Sequence, residues 1–575
     1  MRTRAYFTVL SLTLSKKEGT RVINDTKVFP PVKRKKDRRI AVILLLFTVS
    51  LLVLLLRLYV LAAVDMRAKA VLDGQYTRHM TVASHGGFVF DRDGTQLSHN
   101  EHGAVALIDP HAVKNVNELL DRLPVNDAKD LAHRLGGSLP FAVRLESMPD
   151  KTLPDGAYAY PLYAERTDAF CRHLLGSRNG EGRGISGVYG RFDELLLQYD
   201  AAVECRYETD AAGQTGFDGT MTVYDNGYDA RGGLILTLRA DMQQALETVC
   251  DVHKLDKGAA VLCRADTGEL LAVLSRPTYD PTHLSDYLGS TDGELLNRTF
   301  CTYTPGSVFK LVVAAAAIEC DPTLLDMEYT CTGDIDIGGV TFHCHNRSGH
   351  GEETLMTAFA NSCNPYFITL AGTLGMDVIL RTAERLGFGR SRVLEGMRIG
   401  AGVLPIFGKR YPLAYQANFA FGQGELTATP MDILSAVCAA YTGYAPTFSY
   451  LRGITDGKTT ELFDKPGREK IYSEETVHAM REMMRLCVTD GTGRAAFVRD
   501  VYTCGKTATA QSGIFRNGSE LLHRMFAGVF DFHGTPLAMV VLFDGEGDTP
   551  GTPAEVFADA ASALQSLPEL SDEPQ

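Results

Sequence analysis

The longest uninterrupted hydrophobic stretch of the chain lies near its N-terminus. Residues 40–56 are IAVILLLFTVSLLVLLL, and the run continues beyond Arg57 as LYVLAAV. Folded as a helix, this run is long enough to cross a bilayer core of roughly 30 Å. The pattern therefore predicts a transmembrane segment over residues 40–64.

The residues around this run bear on its processing and its orientation. No convincing cleavage site of the A-x-A kind follows it, and it is longer than the apolar core of a usual signal peptide, so we favour a retained anchor over a cleaved secretory signal. The basic cluster KRKKDRR directly before it is typical of the cytoplasmic side of a membrane helix. We therefore expect residues 1–39 to be cytoplasmic and everything after Val64 to be extracytoplasmic.

A mixed and less regular pattern extends from residue 65 to residue 231. Alternating apolar positions near 87–89 and 104–108 flank a D-R-D-G turn and predict a hairpin-like segment. Three amphipathic pieces, NVNELLDRL, DAKDLAHRL and RFDELLLQY, predict short helices between glycine-rich loops. The stretch shows no internal repeat, and we interpret it as an irregular α+β module.

The pattern becomes sharper from residue 232 onwards. The segments LILTL, GAAVLCRA and LLAVLS predict strands, and ADMQQALETVCDVHKL predicts a helix between the first two. Near the C-terminus, HRMFAGVFDF and LAMVVLFDGE predict a β-meander, which the helix AEVFADAASALQSL follows. These elements indicate a domain with its own sheet over residues 232–567, followed by an acidic tail at 568–575.

Length and charge limit the class of protein. With 575 residues, 45% of them hydrophobic, the chain is too long for one compact domain and can bury at least one large core. Its 57 basic and 70 acidic side chains give a net charge of −13, which argues against a nucleic-acid partner. The charge is uneven, because residues 1–39 carry +9 and the remainder therefore carries −22.

A serine and a lysine three residues apart are the first candidates for chemistry. Ser307 and Lys310 follow a Pro-Gly turn at the start of the alanine-rich run YTPGSVFKLVVAAAAIE. On a helix this spacing puts both side chains on one face, where the Lys310 amine comes within reach of the Ser307 hydroxyl. A lysine whose pKa is lowered by burial can take the serine proton and activate the nucleophile. Alone, S-x-x-K is a weak signal, because a helix cap beside a solvated lysine has the same pattern.

Two further polar motifs complement this pair. ANSCNPYF contains Ser362, whose hydroxyl can relay a proton, and Asn364, whose amide can hold a carbonyl or the lysine in place. CGKTATAQSG places Lys506, Thr507 and Thr509 on a predicted strand, where one ammonium and two hydroxyls suit a substrate carboxylate. Each motif alone also fits an ordinary loop, cap or strand. In the order S-x-x-K, S-x-N, K-T-x, the three together are specific.

This ordered set resembles the penicillin-recognising serine acyltransferases, which include penicillin-binding proteins and serine β-lactamases. Longer segments, among them DTGELLAVLSRPTYDP, NRTFCTYTPGSVFK, FAFGQGELTATPMDIL and VTDGTGRAAF, resemble blocks of class B penicillin-binding proteins. GGFVFDRDGTQLSHN resembles the first block of their pedestal domain. The resemblance covers most of residues 85–545 and is weakest across 110–180.

The resemblance implies an α+β fold in three parts. These are a single N-terminal transmembrane helix, a β-rich pedestal of the dimerisation type over residues 65–231, and a transpeptidase domain over residues 232–567. The last would contain a five-stranded antiparallel sheet flanked by helices, as in serine β-lactamases. No glycosyltransferase module stands between anchor and pedestal, which favours class B over the bifunctional class.

The resemblance also implies a role for each residue of the first two motifs. Ser307 would attack the carbonyl between the two terminal D-alanines of a peptidoglycan stem peptide, with Lys310 as general base. Ser362 and Asn364 would pass the proton to the leaving D-alanine. An amine of a neighbouring stem peptide would then accept the acyl group, and a β-lactam would be trapped on the same serine.

The third motif would bind the substrate. Lys506, Thr507 and Thr509 would hold the terminal carboxylate, and the backbone N–H groups of Ser307 and Thr509 would form the oxyanion hole. The implied chemistry needs no cofactor and no metal. Implied partners are stem peptides, β-lactams, the membrane, and a polytopic SEDS-type glycosyltransferase with other divisome or elongasome proteins.

Ala508 is a departure from the family pattern. The third triplet is usually K-T-G, and here alanine replaces the glycine. On a strand edge that a substrate backbone approaches closely, glycine avoids a side-chain clash. The added methyl either points away from the substrate or narrows the cleft, and every group with a chemical role is retained.

The cysteines and nearby histidines form a second group of candidates. All 12 cysteines lie beyond the membrane segment, where disulfides are permitted, but a buried reduced state is expected for most of them. Cys331 and Cys344 bracket a predicted short hairpin and are the best candidate disulfide pair. With His343, His345 and His350 they also form a sulfur and imidazole cluster. Because no C-x-x-C pair is present, we rank zinc below a disulfide or a plain loop.

Two other motifs are explained without a ligand. Gly182, Gly184 and Gly187 spell G-x-G-x-x-G, but no buried strand precedes them and no βαβ unit surrounds them, so a flexible loop is favoured over a dinucleotide site. Asp91 and Asp93 suggest calcium, but a tight turn accounts for both.

Related functions on the same fold differ in recognisable ways. β-Lactam-sensing receptors carry several membrane helices before the domain, whereas this sequence predicts one. Hydrolytic β-lactamases lack a pedestal and a retained anchor. A non-catalytic scaffold of the division or elongation machinery would keep the fold and not the motifs, which are intact here. The motifs are common to septal, elongation and sporulation enzymes.

Overall fold

The apolar run near the N-terminus folds as one long helix, α1 (Lys35–Ala63). The computed structural model describes residues 35–63, 77–123, 128–209, 221–516, 518–545 and 551–571. Within α1, the segment Arg38–Val60 is long and apolar enough to cross a membrane, and its large hydrophobic side chains are exposed. Most of the predicted cytoplasmic segment and the end of the predicted acidic tail lie outside the described residues.

The chain separates into two units, residues 1–77 and residues 78–575. The first part of the second unit contains two three-stranded sheets, with strand orders β1-β6-β7 and β4-β3-β5. Its strands are β1 (Thr77–His85), β2 (Phe88–Phe90), β3 (His99–Ile108), β4 (Phe141–Leu145), β5 (Ala157–Glu165), β6 (Ala201–Glu208) and β7 (Thr222–Asp225).

The three amphipathic pieces of this region are helical, as predicted. The helices here are α2 (Val116–Arg122), α3 (Ala128–Leu135), α4 (Arg172–Leu175), α5 (Gly187–Arg191) and α6 (Asp193–Leu196). Leu119 of α2 and Leu131 of α3 are buried with Ala104 and Ala106 of β3, so one sheet face and two helices form a small core. The glycine-rich segment around Gly184 forms turns and one isolated bridge, as expected for a loop.

A small sheet ties this region to the rest of the second unit. Strand β2 pairs in parallel with β8 (Gly233–Leu236), in a four-stranded sheet completed by β18 (Leu451–Thr455) and β19 (Thr460–Leu462). The Asp91 turn follows β2 directly. One Asp91 carboxylate oxygen accepts the backbone N–H groups of Asp93 and Thr95, and the other accepts the N–H of Ala240.

That last bond gives Asp91 a structural role. Ala240 is the first residue of α7 (Ala240–Val252), whose preceding residue supplies no side-chain cap. Asp91 therefore satisfies one of the free N–H groups at the start of this helix from a distant part of the chain. The turn at Asp91 is the one that the sequence predicts, whereas the bond to α7 was not predicted.

A five-stranded antiparallel sheet forms the centre of the C-terminal part, in the order β10-β9-β23-β22-β21. Its strands are β9 (Gly258–Arg264), β10 (Leu270–Arg276), β21 (Thr503–Arg516), β22 (Ser519–Phe532) and β23 (Thr535–Phe543). The predicted hairpin, the predicted C-terminal meander and the predicted sheet are thereby confirmed. Strand β21 is the last strand of the sheet, so one of its edges has no neighbouring strand in it.

Helices cover both faces of this sheet. They are α8 (Lys310–Cys320), α9 (Leu355–Ala360), α10 (Asn364–Leu374), α11 (Met376–Arg385), α12 (Leu413–Ala420), α13 (Pro430–Thr442), α14 (Glu474–Thr489) and α15 (Pro553–Leu564). On β9, Ala260 and Leu262 pack toward α7 and α15, while Val261 and Cys263 pack toward the larger helical group on the other face. A strand buried on both faces reads as a continuous apolar run, as GAAVLC does.

Short antiparallel strand pairs lie between the helices. Their strands are β11 (Tyr329–Cys331), β12 (Asp334–Ile337), β13 (Val340–His343), β14 (Gly351–Glu353), β15 (Arg392–Leu394), β16 (Met397–Ile399), β17 (Tyr444–Pro446) and β20 (Arg468–Lys470). The predicted hairpin between Cys331 and Cys344 is the pair β12–β13. It is enclosed by a second antiparallel pair, β11–β14.

Candidate active site

Ser307 lies in a tight turn that leads into the central buried helix. Residues Gly306–Phe309 form a 3₁₀ turn that continues as α8 from Lys310. In a 3₁₀ turn, residues three apart are eclipsed, so Ser307 and Lys310 share a face as the spacing predicts. Gly306 has a φ of +58° and donates its N–H to the carbonyl of Gly422 over 2.9 Å. Ser307 itself is half-buried at the rim of a cleft.

Lys310 is fully buried, and its ammonium bonds to the S-x-N motif. Its Nζ donates to the Ser362 carbonyl at 2.8 Å, to the Ser362 Oγ at 3.3 Å and to the Asn364 Oδ1 at 2.8 Å. Burial lowers the pKa of Lys310 well below its ordinary value, and the nearby Lys506 lowers it further.

The sequence predicts that the Lys310 amine lies within reach of the Ser307 hydroxyl, whereas in the structure the amine bonds to Ser362 and Asn364. Among the described residues, no hydrogen bond joins Lys310 Nζ to the Ser307 hydroxyl. The three acceptors of Lys310 belong to Ser362 and Asn364, so the S-x-N turn holds the amine in this state. Catalytic hydrogen bonds are often long before a substrate is bound, which leaves Lys310 a candidate base.

The turn that carries Ser362 has an uncommon backbone. Ser362 adopts a φ of +54°, a conformation that costs a residue other than glycine of order 1 kcal/mol or more. Residues with such strained backbones are found most often at functional sites. Asn364 is the first residue of α10, next to Pro365. Its amide Nδ2 donates to the carbonyl of His343 at 3.2 Å, so Asn364 connects Lys310 on one side with the end of β13 on the other.

The third motif lies on the outer strand β21, as the sequence predicts. Lys506 is fully buried, and burial lowers its pKa. Its Nζ donates to the Thr507 carbonyl at 3.1 Å. The hydroxyl of Thr507 lies 2.7 Å from that of Thr492, and Thr509 is exposed.

A single cleft of about 430 Å³ brings these groups together. Its lining includes Ser307, Ser362, Asn364, Thr507 and Thr509. Lys310 and Lys506 are buried beside them, through the contacts already described. The site therefore combines the half-buried Ser307 hydroxyl with the Ser362 hydroxyl, which lies beside the buried Lys310 amine. The hydroxyls of Thr507 and Thr509 lie along the open edge of β21. This arrangement suits nucleophilic acyl transfer to serine from a substrate laid along the strand.

The position of Ala508 decides between the two effects considered for its methyl group. Ala508 is 6% exposed and packs in the hydrophobic core, although it contributes to the cleft wall. A Cβ placed on Gly306 would lie 3.5 Å from the Ala508 Cβ and 3.0 Å from that of Ala510. The Ala508 methyl thus lies against the turn that carries Ser307, and only a small part of the residue is exposed at the cleft wall.

Thr492 and Arg524 also line the cleft and were not assigned a role from the sequence. Thr492 lies between Gly491 and Gly493 in a turn after α14, and its N–H donates to the Ala360 carbonyl at 3.0 Å. A Cβ on Gly491 would lie 2.3 Å from that same carbonyl. The closely packed G-T-G turn is the sequence signal that identifies Thr492, whereas nothing in the sequence around Arg524 distinguishes it.

Comparison with known proteins places the chain among transpeptidases. The model of the penicillin binding protein transpeptidase domain matches residues 258–562. Stage V sporulation protein D of Bacillus subtilis is 27% identical over 579 residues, covering 94% of this chain and 86% of that protein. Peptidoglycan D,D-transpeptidase FtsI of Escherichia coli is 26% identical, covering 59% of this chain and 55% of that protein.

A solved structure shows the same fold. The structure of penicillin binding protein 3 from Mycobacterium tuberculosis in complex with aztreonam superposes with a TM-score of 0.60 at 20% identity. The match covers 85% of this chain and 97% of that one. The helix-flanked sheet and its preceding β-rich region are therefore a shared architecture.

Gly422 offers a test of how the Ser307 turn is supported. A Cβ on Gly422 would lie 2.0 Å from the Gly306 carbonyl oxygen, so Gly422→Ala forces the two backbones apart. Gly408→Ala is the matched control, since Gly408 has a similar φ of +73°, against +80° for Gly422, and open space around it. We expect about 1–3 kcal/mol of additional destabilisation from overpacking in the Gly422 variant. Thermal unfolding of the full-length protein in detergent measures the difference, and equal melting temperatures would contradict the close approach.

Proposed function

This chain belongs to the penicillin binding protein transpeptidase family, and from that premise we propose that Ser307 is the nucleophile of a class B peptidoglycan D,D-transpeptidase. The observation that carries the proposal is the cleft itself. Three motifs separated by about 50 to 150 residues meet there, with Ser307, Ser362 and Thr509 all on its lining. Chance similarity of single motifs does not bring their side chains together.

Acylation begins with removal of the Ser307 proton. Burial lowers the pKa of Lys310 well below its ordinary value, which favours the neutral amine that accepts this proton. The serine oxygen bonds to the carbonyl carbon between the two terminal D-alanines, and the peptide C–N bond breaks. The proton reaches the leaving amine through Ser362, whose Oγ lies 3.3 Å from Lys310 Nζ. D-Alanine leaves with that proton.

Substrate binding is assigned to the open edge of β21. The ammonium of Lys506 and the hydroxyls of Thr507 and Thr509 bind the terminal carboxylate, which needs a charge and directional donors. The backbone N–H groups of Ser307 and Thr509 stabilise the oxyanion of the tetrahedral intermediate. Thr492 orients the Thr507 hydroxyl through their 2.7 Å contact.

The acyl-enzyme then reacts with an amine of a neighbouring stem peptide. The amine attacks the ester carbonyl and gives its proton to Lys310 through Ser362. Lys310 returns this proton to the Ser307 oxygen as the ester C–O bond breaks and the cross-link forms. A β-lactam opens on the same serine and leaves a stable ester, because its former leaving group remains attached in the cleft. Covalent inhibition by β-lactams follows from the same step.

The remaining parts of the chain are assigned by position. We propose that α1 anchors the protein with residues 1–39 in the cytoplasm, that residues 65–231 are the pedestal, and that residues 232–567 are the transpeptidase domain outside the membrane. Cell-wall synthesis requires polymerised glycan as well as cross-links. A polytopic SEDS-type glycosyltransferase and other divisome or elongasome proteins are the proposed protein partners.

A β-lactam adduct should form on Ser307. Full-length protein in detergent is treated with a fluorescent penicillin, digested and analysed by mass spectrometry. We expect one labelled peptide containing Ser307, and no label in Ser307→Ala, because the Ser307 hydroxyl lies at the rim of the cleft and shares a helical face with the Lys310 amine. Label on another residue, or undiminished labelling of Ser307→Ala, would contradict the assignment.

Substitution of the two buried lysines should affect different steps of acylation. Lys310→Ala removes the base and should lower the acylation rate constant by at least about 10²-fold. Lys506→Ala removes a carboxylate contact. It should raise the dissociation constant of the complex that precedes acylation more than it lowers the acylation rate constant. The wild-type rate should also rise with pH through the lowered pKa of Lys310, since the neutral amine is the base. Stopped-flow acylation with one reporter β-lactam separates the two constants, and equal small losses in both variants would show that the roles are misassigned.

Ala508→Gly tests the orientation of the alanine methyl group. Because the methyl is almost fully buried against the Ser307 turn, the ratio of acylation rates for a bulky and a small β-lactam should stay within about twofold. A methyl group projecting into a tight pocket would change that ratio by about tenfold or more. Second-order acylation constants for both drugs on both proteins give the ratio, and a selective gain for the bulky drug would overturn the packing argument.

A further inference from the structure

A buried histidine lies close to the turn that carries Ser307. His523 of β22 is 6% exposed, and neither of its ring nitrogens has a hydrogen-bond partner among the described residues. In the sheet His523 pairs with the uncharged Ala510 of β21, whose Cβ would lie 3.0 Å from a Cβ placed on Gly306. Through Ala510, His523 is therefore linked to the backbone that positions Ser307.

The aromatic ring of Tyr303 packs against this histidine. The centroids of the two rings are 5.1 Å apart, and their planes are inclined at 59°. Tyr303 stands four residues before Ser307, and its backbone exchanges two hydrogen bonds of 2.8 Å with Ala428. His523 is thus in direct contact with the segment that leads into the Ser307 turn.

A carboxylate lies just beyond hydrogen-bonding distance of the imidazole. Asp544 follows β23, and its Oδ1 is 4.0 Å from Nε2 of His523. The other oxygen, Oδ2, accepts a hydrogen bond from Nε of Arg298 at 3.0 Å. Arg298 is itself fixed, because it donates to the carbonyls of Asp292 and Gly293 at 2.8 Å. A firmly held carboxylate therefore faces a histidine that has no hydrogen-bond partner of its own among the described residues.

The charges around His523 favour its neutral form. Burial lowers the pKa of His523; Asp544 acts in the opposite direction, and Lys257, just before β9, lowers the pKa further. Nζ of Lys257 lies 4.0 Å from Oδ2 of Asp544, so this lysine and Arg298 both compete with the histidine for one carboxylate. Burial raises the pKa of Tyr303, which therefore keeps its hydroxyl proton.

The neutral and the protonated imidazole need different arrangements of this site. A neutral His523 fits the packing against Tyr303 as it stands. An imidazolium attracts the Asp544 carboxylate, and a charge-assisted hydrogen bond of about 2.8 Å requires the two groups to approach by about 1 Å. Since a buried charge without a partner is very costly, the protonated ring has to make this movement. The movement changes its contact with Tyr303 and so disturbs the segment before Ser307.

We propose that His523 is a positioning residue for the Ser307 turn, and that its protonation, by forming an ion pair with Asp544, shifts the Tyr303 segment and slows acylation at acidic pH. His523 acts through Tyr303 and Ala510 and does not touch the substrate. Acylation then requires two deprotonated groups, the Lys310 amine as base and the His523 imidazole as support. The effect on acylation rests on the proposed function, whereas the titration of His523 does not.

The pH dependence of acylation tests this role in the full-length protein in detergent. When two groups must both be deprotonated, the acylation rate constant falls about a hundredfold per pH unit below both pKa values, and about tenfold when only one group remains. We expect the steeper fall for the wild type and the shallower one for His523→Gln, whose amide does not take up a proton. His533→Gln is the matched control, since His533 is an exposed histidine in the turn after β22, and it should follow the wild type. Equal slopes for the wild type and His523→Gln would overturn the proposal.

Lys257 offers a second test that leaves the histidine in place. The Lys257 side chain is 40% exposed, and Lys257→Gln removes a cation that opposes protonation of His523. The acidic fall of the acylation rate constant should therefore move to higher pH, whereas Lys254→Gln, at an exposed lysine of the same loop, should leave it in place. In the His523→Gln background, Lys257→Gln should cause no such shift. An equal shift in both backgrounds would show that Lys257 acts on another group and would contradict the proposal.

Thermal unfolding measures the titration of His523 without any reaction at Ser307. Because the pKa of His523 is lowered in the folded chain, the unfolded chain binds a proton at mildly acidic pH that the folded chain does not, and stability is lost as the pH falls. Between about pH 8 and pH 5, the melting temperature of the wild type should fall further than that of His523→Gln, and His533→Gln should follow the wild type. Equal falls would contradict the proposal.

The two measurements also separate the possible failures. A general loss of structure in His523→Gln would lower its melting temperature at every pH and leave the slope of its acylation profile like that of the wild type, which would count against a specific role. Failure of the wild type to react with a β-lactam at any pH would remove the proposed function. The melting temperatures would then still decide whether His523 titrates beside Asp544 as argued.

Discussion

The buried ammonium of Lys310 is the constraint around which the candidate active site is organised. A buried amine needs hydrogen-bond partners in place of water, and Lys310 obtains them from one short turn, through the Ser362 carbonyl, the Ser362 hydroxyl and the Asn364 amide oxygen. Ser362 adopts a left-handed backbone, and Asn364 is the first residue of a helix. Local strain in the turn thus accompanies the placement of a reactive amine.

The opposite wall of the site depends on close backbone packing. The turn of Ser307 rests on Gly422 behind it and on Ala508 and Ala510 of β21 beside it. Small residues at these points let a helix start, a loop and a strand edge meet within van der Waals distance. The proposed nucleophile is therefore fixed by backbone packing and the proposed base by the hydrogen bonds of its amine, so the two can be perturbed separately by mutation.

The sequence predicted the elements and the motif residues well, because both leave local signatures. The apolar run predicted α1, and the alternating segments predicted the central sheet. The ordered motifs predicted that Ser307 and the S-x-N turn belong to one site. Which atoms Lys310 contacts was not predictable from spacing, since an amine on a flexible side chain selects among acceptors that only the fold brings near. Thr492 was missed for the same reason, and its contact with Thr507 joins a helix end to a strand.

Cys363, between Ser362 and Asn364, shows that a motif assignment does not describe every contact that its residues make. Cys363 stands at the variable position of S-x-N, where the pattern places no demand on residue type, and a local search for paired cysteines does not reach it. In the fold, this position points away from Lys310 and toward Cys331 and Cys344, while Ser362 and Asn364 point toward the amine. The turn therefore has two faces, one that bonds the Lys310 amine through Ser362 and Asn364 and one on which Cys363 lies near Cys331 and Cys344. Since a residue between two neighbours cannot move independently of them, the packing of Cys363 is coupled to the position of the groups that bond Lys310.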